Sequence, residues 1–392
     1  MPRFASRPFL FTTALVLALA VVAGNLDTTE AHKAVTSPYT YNNDIFPILR
    51  DNCGRCHVEG GPAPMGLLAW NDGPNSATPW AESIRQLVVG EQMPPWYVDS
   101  RGPAVKGGFA LTSAQSDKLL TWATGGTPEG DPEKKPGAAS YQARWIGGPP
   151  DLKLAMESEY TMPASDTNET KEFVLSTGLK EQRWVRAVDL LPGAPEIVRN
   201  ASISLENGAV LAVWVPGDNL VSAPSGTAFR LPAGAKLRLQ IHYKKQWQNE
   251  GKVIKDRSTV GLYFTTPPAS GREIQSFAID RSKAAESAAT LSGVLSAKAR
   301  VVAVRPSLDR VYGAFTVQAI TPAGARVPLL RLRTPRPEWR RRYWLVQPVD
   351  LPAGSRIEVT TTSPSAYIEL TGAQFMKTYP LQVALDFVPA GP

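Results

Sequence analysis

The spacing of apolar residues changes character near residue 140. Ahead of that point it is helical. Ile45, Phe46, Ile48 and Leu49 make one apolar face, Asn43 is placed to cap a helix beginning at Asp44, and Pro47 falls in the first turn, where its missing N–H is tolerated. Trp80, Ile84, Leu87 and Val88 repeat at helical spacing behind Thr78-Pro79, a cap residue followed by proline at the first helical position. This second helix is expected to end near Gln92. Thr112, with Gln115 three positions on, has the form of a capping box. The helix it starts carries Leu119, Leu120 and Trp122 and should stop at Gly125-Gly126, as helices do at glycine.

Beyond residue 140 the period drops to two. Residues 184–190 (W-V-R-A-V-D-L), 236–241 (K-L-R-L-Q-I) and 356–360 (R-I-E-V-T) alternate, and 209–215 form an unbroken apolar run. Turn residues punctuate these runs at short intervals, which predicts β-sandwiches. The 35 prolines and 31 glycines suit many turns and short strands better than long helices. A repeat supports two related lobes. Leu231-Pro232-Ala233-Gly234 and Leu351-Pro352-Ala353-Gly354, 120 residues apart, each lead into an alternating strand after one further residue. The polar stretch T-P-E-G-D-P-E-K-K-P-G at 127–137 reads as a semi-rigid linker. The expected architecture is multidomain: a small all-α domain over 38–127, a linker over 128–140, then two all-β, jelly-roll-like sandwich lobes over 141–268 and 273–390.

The N-terminus changes the compartment. Arg3 and Arg7 precede an apolar stretch over 9–23 that ends in V-V-A, so residues 1–24 read as an export signal. The stretch is short for a membrane span. Retained, it would be an N-terminal anchor. Residues 24–37 are polar, and His32 among them is read as solvated. Net charge is +7, without a basic helix or a nucleic-acid module. Nucleic acid is therefore not an expected partner, whereas acidic proteins and anionic lipid surfaces are. Charge is densest at 336–342, R-P-E-W-R-R-R. The two readings of that run are a solvated loop and a docking patch.

Chemistry concentrates at C-G-R-C-H. Cys53 and Cys56 are the only cysteines, and His57 follows directly. This is the spacing of covalent c-type haem attachment. Two thiols three positions apart can each form a thioether to a haem vinyl group, and the adjacent imidazole then becomes an axial ligand to iron. A redox dithiol would sit in a βαβ pattern, and a zinc site would need a second ligand pair; neither is found. Two methionines are candidates for the distal ligand. Met65 is eight residues from His57; Met93 is thirty-six residues on, after a helix and within a stiff Met-Pro-Pro loop. Met93 is favoured, with Met65 as the second choice. Trp70, Trp96 and Trp122 are read as packing on the porphyrin or in the small core.

These motifs resemble an exported bacterial arrangement in which a class I-like single-haem cytochrome c domain precedes two lobes. The lobes resemble the copper type II ascorbate-dependent monooxygenases, the family of peptidylglycine hydroxylating monooxygenase. Y-N-N-D-I-F-P-I-L, C-G-R-C-H, P-A-P-M and M-P-P-W carry the first part, and W-V-R-A-V-D-L-L-P-G, L-P-A-G-A-K-L-R-L-Q-I-H-Y-K and R-S-T-V-G-L-Y-F the second. The resemblance implies a His-His pair where Arg199-Asn200 stands, a histidine at His242, and Pro-His-x-His where Pro306-Ser307-Leu308-Asp309 stands. One expected histidine in five survives. Imidazole copper sites need several convergent ligands, so copper is not expected. His242 is read as an ordinary strand residue satisfied by a hydrogen bond.

The expectation is an exported or periplasmic electron-transfer protein with one haem c. Its lobes would be a copper-free platform for a redox protein partner or a membrane-bound electron-transfer complex, with membrane association through the N-terminal segment as a further reading. The alternatives are a divergent haem-fed copper monooxygenase and a structural subunit of an envelope redox complex.

Overall fold

The computed structural model describes residues 36–95, 97–108, 110–269, 272–280, 290–364 and 379–389. The expected signal segment, His32 and Trp96 lie outside them.

Three helices form the N-terminal region. A wide turn of π type, Tyr41–Ile45, runs directly into α1, Phe46–Asn52. Thr40, not Asn43, stands at the cap position and makes no side-chain cap bond; Asp44 Oδ2 accepts the N–H of Thr40 at 3.1 Å. A carboxylate four residues on can close the wide turn, which a cap at Asn43 could not. Helix α2, Ala81–Val89, follows a single tight turn at Thr78–Trp80 and ends at Gly90, short of Gln92. Helix α3, Ser113–Thr124, has both halves of its capping box: Thr112 Oγ1 accepts Gln115 N–H at 3.2 Å, and Gln115 Oε1 accepts Thr112 N–H at 2.9 Å. Gly125 ends it. A Cβ there would stand 2.5 Å from the nitrogen of Ser37, so the close approach requires glycine. The helices enclose Tyr41, Ile45, Leu49, Leu119 and Trp122, all fully buried.

The start of the expected linker belongs to this region. Tyr41 N–H donates to Pro128 O and Asn42 N–H to Glu129 O, both at 2.9 Å, and the Trp122 indole donates to Pro128 O at 3.2 Å. These donors need acceptors in a buried setting. The polar stretch supplies main-chain carbonyls to them.

The rest of the chain is two β-sandwich lobes. In the first, β1 (Leu152–Ala155), β4 (Arg183–Leu191), β7 (Phe229–Leu231) and β10 (Thr259–Thr265) form one sheet in the order β1-β10-β4-β7. β3 (Asn168–Ser176), β5 (Val198–Leu205), β6 (Val210–Trp214) and β8 (Lys236–Lys244) form the other, β3-β8-β5-β6. β2 (Tyr160–Met162) and β9 (Ile254–Asp256) make a separate short pair. In the second lobe, β11 (Gln275–Asp280), β13 (Ala299–Ser307), β16 (Tyr343–Leu351) and β18 (Gln382–Pro389) run in the order β11-β18-β13-β16. β12 (Thr290–Val294), β14 (Ala314–Ile320), β15 (Arg326–Arg333) and β17 (Arg356–Thr362) run β12-β17-β14-β15. With β2 and β9 set aside, strand order is the same in both lobes, and it is that of a double-sheet jelly roll. The repeated L-P-A-G turns occupy equivalent places, ahead of β8 and β17. Gly234 and Gly354 take φ +66° and +79°, which only glycine adopts without cost.

The lobes are fused through apolar and ionic contacts. Val302, Ala303, Trp344 and Val388 of the second lobe enter the core of the first. Arg342 lies between them, its Nε 2.7 Å from Asp386 Oδ2 and its Nη1 and Nη2 bonded to the carbonyls of Leu211 and Val210. Neither expectation for the 336–342 run therefore holds. Arg341 is also buried, against Asp218 at 2.5 Å, and Arg340 sits 4.3 Å above the Tyr379 ring. The run is an internal seam: Arg340, Arg341 and Arg342 each have a carboxylate, carbonyl or ring beside them, and Arg336 Nη2 donates to the Gln92 side chain while its Nε is buried without a partner among the described residues.

A strap joins the helical region to the second lobe. Residues 97–106, between α2 and α3, bridge to it at Val98–Leu332 and Val105–Leu345. Buried Asp99 fixes the strap through Arg331 Nε (2.9 Å) and Arg101 Nη2 (2.7 Å). Among the described residues, no helix is long and apolar enough to cross a membrane.

Candidate cofactor site

The last turn of α1 delivers the cysteines. Cys53 N–H donates to Leu49 O at 2.8 Å. Cys56 and His57 N–H then both return to Cys53 O, at 3.0 and 2.9 Å. That turn brings Cys53, Cys56 and His57 to the wall of a single cavity of about 340 Å³. The chain folds back over them, with Ala63 N–H on Cys56 O (3.2 Å) and Leu67 N–H on His57 O (3.0 Å). A Cβ on Gly61 would lie 2.6 Å from Cys56 O, so the return path needs glycine.

His57 is held for one role. Its Nδ1 lies 3.3 Å from the main-chain oxygen of Met65. A carbonyl accepts only, so Nδ1 carries the hydrogen and Nε2 is the basic nitrogen. Burial pushes the imidazole down to about 4, against a smaller opposing effect of the Met65 carbonyl. The ring is therefore neutral near pH 7, the form that ligates metal. A carbonyl on the distal ring nitrogen is also the usual outer-shell support of a ligating histidine.

Cys53 and Cys56 are not joined to each other. Burial pushes both thiols up to about 12. Redox-active C-x-x-C pairs have lowered thiols, so this environment does not favour a redox dithiol.

The rest of the cavity is largely apolar. Leu49, Leu67 and Leu119 face it from the helical core, and Ile84, Leu87 and Val88 from α2. Met65 and Met93 both line it. Met93 follows α2, its N–H on Leu87 O at 3.2 Å. The Met65 side chain packs against the helical core, and its carbonyl is engaged by His57. Trp70 and Trp122 pack in the helical core, with indole N–H groups on Thr127 O and Pro128 O. Among the described residues the tryptophans of the cavity are Trp80 and Trp339.

Sequence reasoning missed the far wall. Arg199, Lys244 and Gln246 come from the first lobe, and Glu338 and Trp339 from the second. Nothing in their spacing marks them.

His242 is buried on β8. Its Nε2 lies 2.7 Å from Asn168 Oδ1 and its Nδ1 3.3 Å from Asn200 Nδ2. Asn200 in turn accepts from Tyr379 OH at 3.0 Å. Where the resemblance implied Pro-His-x-His, Leu308 is buried in the core of the second lobe and Asp309 accepts from Tyr312 OH at 2.6 Å. Among the described residues, no three or more His, Cys, Asp and Glu side chains are grouped so that they could hold a metal ion.

A second, more open cavity of about 800 Å³ lies beside the turn that carries the cysteines, lined by Arg50, Arg55, Tyr141, Trp145 and Asp189. Burial pushes the Asp189 carboxyl up to about 6, although it accepts the Leu190 N–H at 2.8 Å.

Neither a protein-family model nor a curated protein matches the chain. Among solved structures, it is similar to a Bacteroides ovatus protein assigned to the alpha-L-fucosidases, at 10% identity and a TM-score of 0.19. That alignment covers 66% of this chain and 42% of the other, so the chain spans less than half of that structure's length. It is also similar to a peptide-N(4)-(N-acetyl-beta-D-glucosaminyl) asparagine amidase, at 8% identity and a TM-score of 0.32, over 61% of this chain and 97% of the other. PNGase F, a glycosylasparaginase from Flavobacterium meningosepticum, gives 9% identity and a TM-score of 0.28, over 60% and 97%. Likenesses this low carry no argument about function.

Proposed function

We propose that the chain is an exported electron-transfer protein whose helical region is a cytochrome c domain holding one c-type haem in the cavity beside α1. A bound c-type haem supplies a one-electron ferric–ferrous couple. The residues present fit that group. Cys53 and Cys56 would tether it through their sulfurs, and His57, through Nε2, and Met93 would ligate its iron. Leu49, Leu87 and Leu119 exclude water around it.

One observation carries this reading: both thiols, Met93 and a neutral imidazole with only Nε2 basic border the same apolar cavity. Met93 is preferred to Met65 because it enters the cavity from beyond α2, whereas the Met65 side chain packs against the helical core. The lobes serve as a copper-free platform for docking to a redox protein or a membrane-bound electron-transfer complex.

The test is an optical redox titration of protein purified from the exported fraction. One reversible, single-electron transition of a haem spectrum is expected. A protein whose visible spectrum does not differ between reductant and oxidant contradicts the proposal.

A further inference from the structure

We propose that Arg199 of the first lobe receives a carboxylate of the bound haem and raises its reduction potential, so that the lobes complete the cofactor site as well as presenting it. This rests on the function proposed above.

The backbone singles Arg199 out. On β5, Val198 pairs with Tyr243 and Asn200 with His242 of β8, and the register shifts between them. Arg199 is the extra residue of a β-bulge, a device that re-aims a side chain beside functional sites. It reaches the tether loop, where Nη1 donates to Pro62 O at 2.8 Å, while Nη2 donates to Glu196 O at 2.6 Å. Both acceptors are neutral carbonyls, and they occupy two of its five N–H donors.

The other charged groups of the cavity have partners of their own. The cavity is lined by Arg55, Arg199 and Lys244 and by Asp51 and Glu338. Asp51 is bridged to Arg50 at 2.7 Å, and Glu338 to Lys244 at 3.1 Å. Arg55 donates to the Asn219 side chain. The hydrogen bonds of Arg199 go to carbonyls alone, at the edge of an apolar space, and the Glu338 and Glu196 carboxylates act on it only through space. A desolvated cation is costly until an anion joins it. The haem macrocycle brings two carboxylates, and a guanidinium fork binds carboxylate at two points, which an ammonium does not. A fixed positive charge beside the iron disfavours the ferric state, which carries one more positive charge than the ferrous.

The experiment uses the full-length holoprotein and its R199Q and R199K variants. Denaturing gels stained for haem are run beside optical redox titrations from pH 5 to pH 8. R199Q is expected to keep covalent haem and to lower the ferrous-to-ferric ratio at a fixed potential by roughly tenfold, the effect of one charge at the cofactor's edge at an effective dielectric of about 20. R199K keeps the charge and loses the two-point contact. Its midpoint is expected to match the parent at pH 8 and to become pH-dependent towards pH 5, where the parent stays flat. A merely structural Arg199 would change stability and leave both readouts alone. Haem-loaded R199Q titrating with the parent overturns the inference. If R199Q does not fold, a flat R199K profile does the same. A parent chain without covalent haem overturns the proposed function as well, and the stained gel separates that case.

Discussion

The Nδ1 atom of His57 and the main-chain oxygen of Met65 are 3.3 Å apart, across a loop of eight residues. This contact fixes the imidazole and ties the Met65 main chain to the histidine. Met93 enters the same cavity from the far end of α2. Replacing Met93 with Ala should abolish the methionine-to-iron charge-transfer band at the red end of the ferric spectrum and lower the midpoint potential. Met65→Leu should keep the band. A band that survives in M93A and disappears in M65L would exchange the two roles.

Arg342 and Asp386 are both buried, and the guanidinium also satisfies two carbonyls of the neighbouring lobe. Burial raises the Asp386 carboxyl, but the Arg342 and Arg305 charges overcome it and hold the group below its usual range. Removing Arg342 leaves Asp386 with the longer Arg305 contact at 3.4 Å and takes the donor from both carbonyls. Arg342→Ala should cost about 3–5 kcal/mol in urea unfolding. Arg342→Lys should recover only part of that, since an ammonium cannot span the carboxylate and both carbonyls. A loss within about 1 kcal/mol in R342A would mean that the seam is held by apolar contacts alone.

Asp189 gives a pH dependence of known sign. Its folded carboxyl titrates at about 6, above an ordinary unfolded value of about 3.9. Between those values the folded state binds the proton more tightly. The residue therefore destabilises the fold progressively as pH rises from about 4, and fully above about 6. Asp189→Asn removes that dependence. Its stability relative to the parent should rise by about 2–3 kcal/mol from pH 4 to pH 7.5, whatever its offset at either end. Urea midpoints at the two pH values measure it, and an offset unchanged between them contradicts the assignment.

What could be read from the sequence was local or repeated. The α3 capping box needs only Thr112 and Gln115, and the L-P-A-G turns repeat with the strands that follow them. The near half of the candidate site was legible for the same reason, because C-G-R-C-H states its chemistry in five consecutive residues. Long-range pairing was not legible. Arg341 is buried because Asp218 stands 123 residues away in sequence, and Arg342 because Asp386 stands 44 residues on. Counting charges in a window cannot supply those partners; Trp339 in the middle of the run was the one sign that it faced inward. Arg199 was noticed only as a replaced ligand. Its bulge, and the cavity it faces, depend on how β5 pairs with β8.

On the function proposed here, Cys53 and Cys56 bind one haem covalently. The most direct measurement is the intact mass of the exported chain after full denaturation, beside its C53A/C56A variant. The parent should carry the added mass of a single haem with no free thiol, and the variant should carry no haem. A denatured parent chain at its bare polypeptide mass, with two titratable thiols or a disulfide between them, would contradict it.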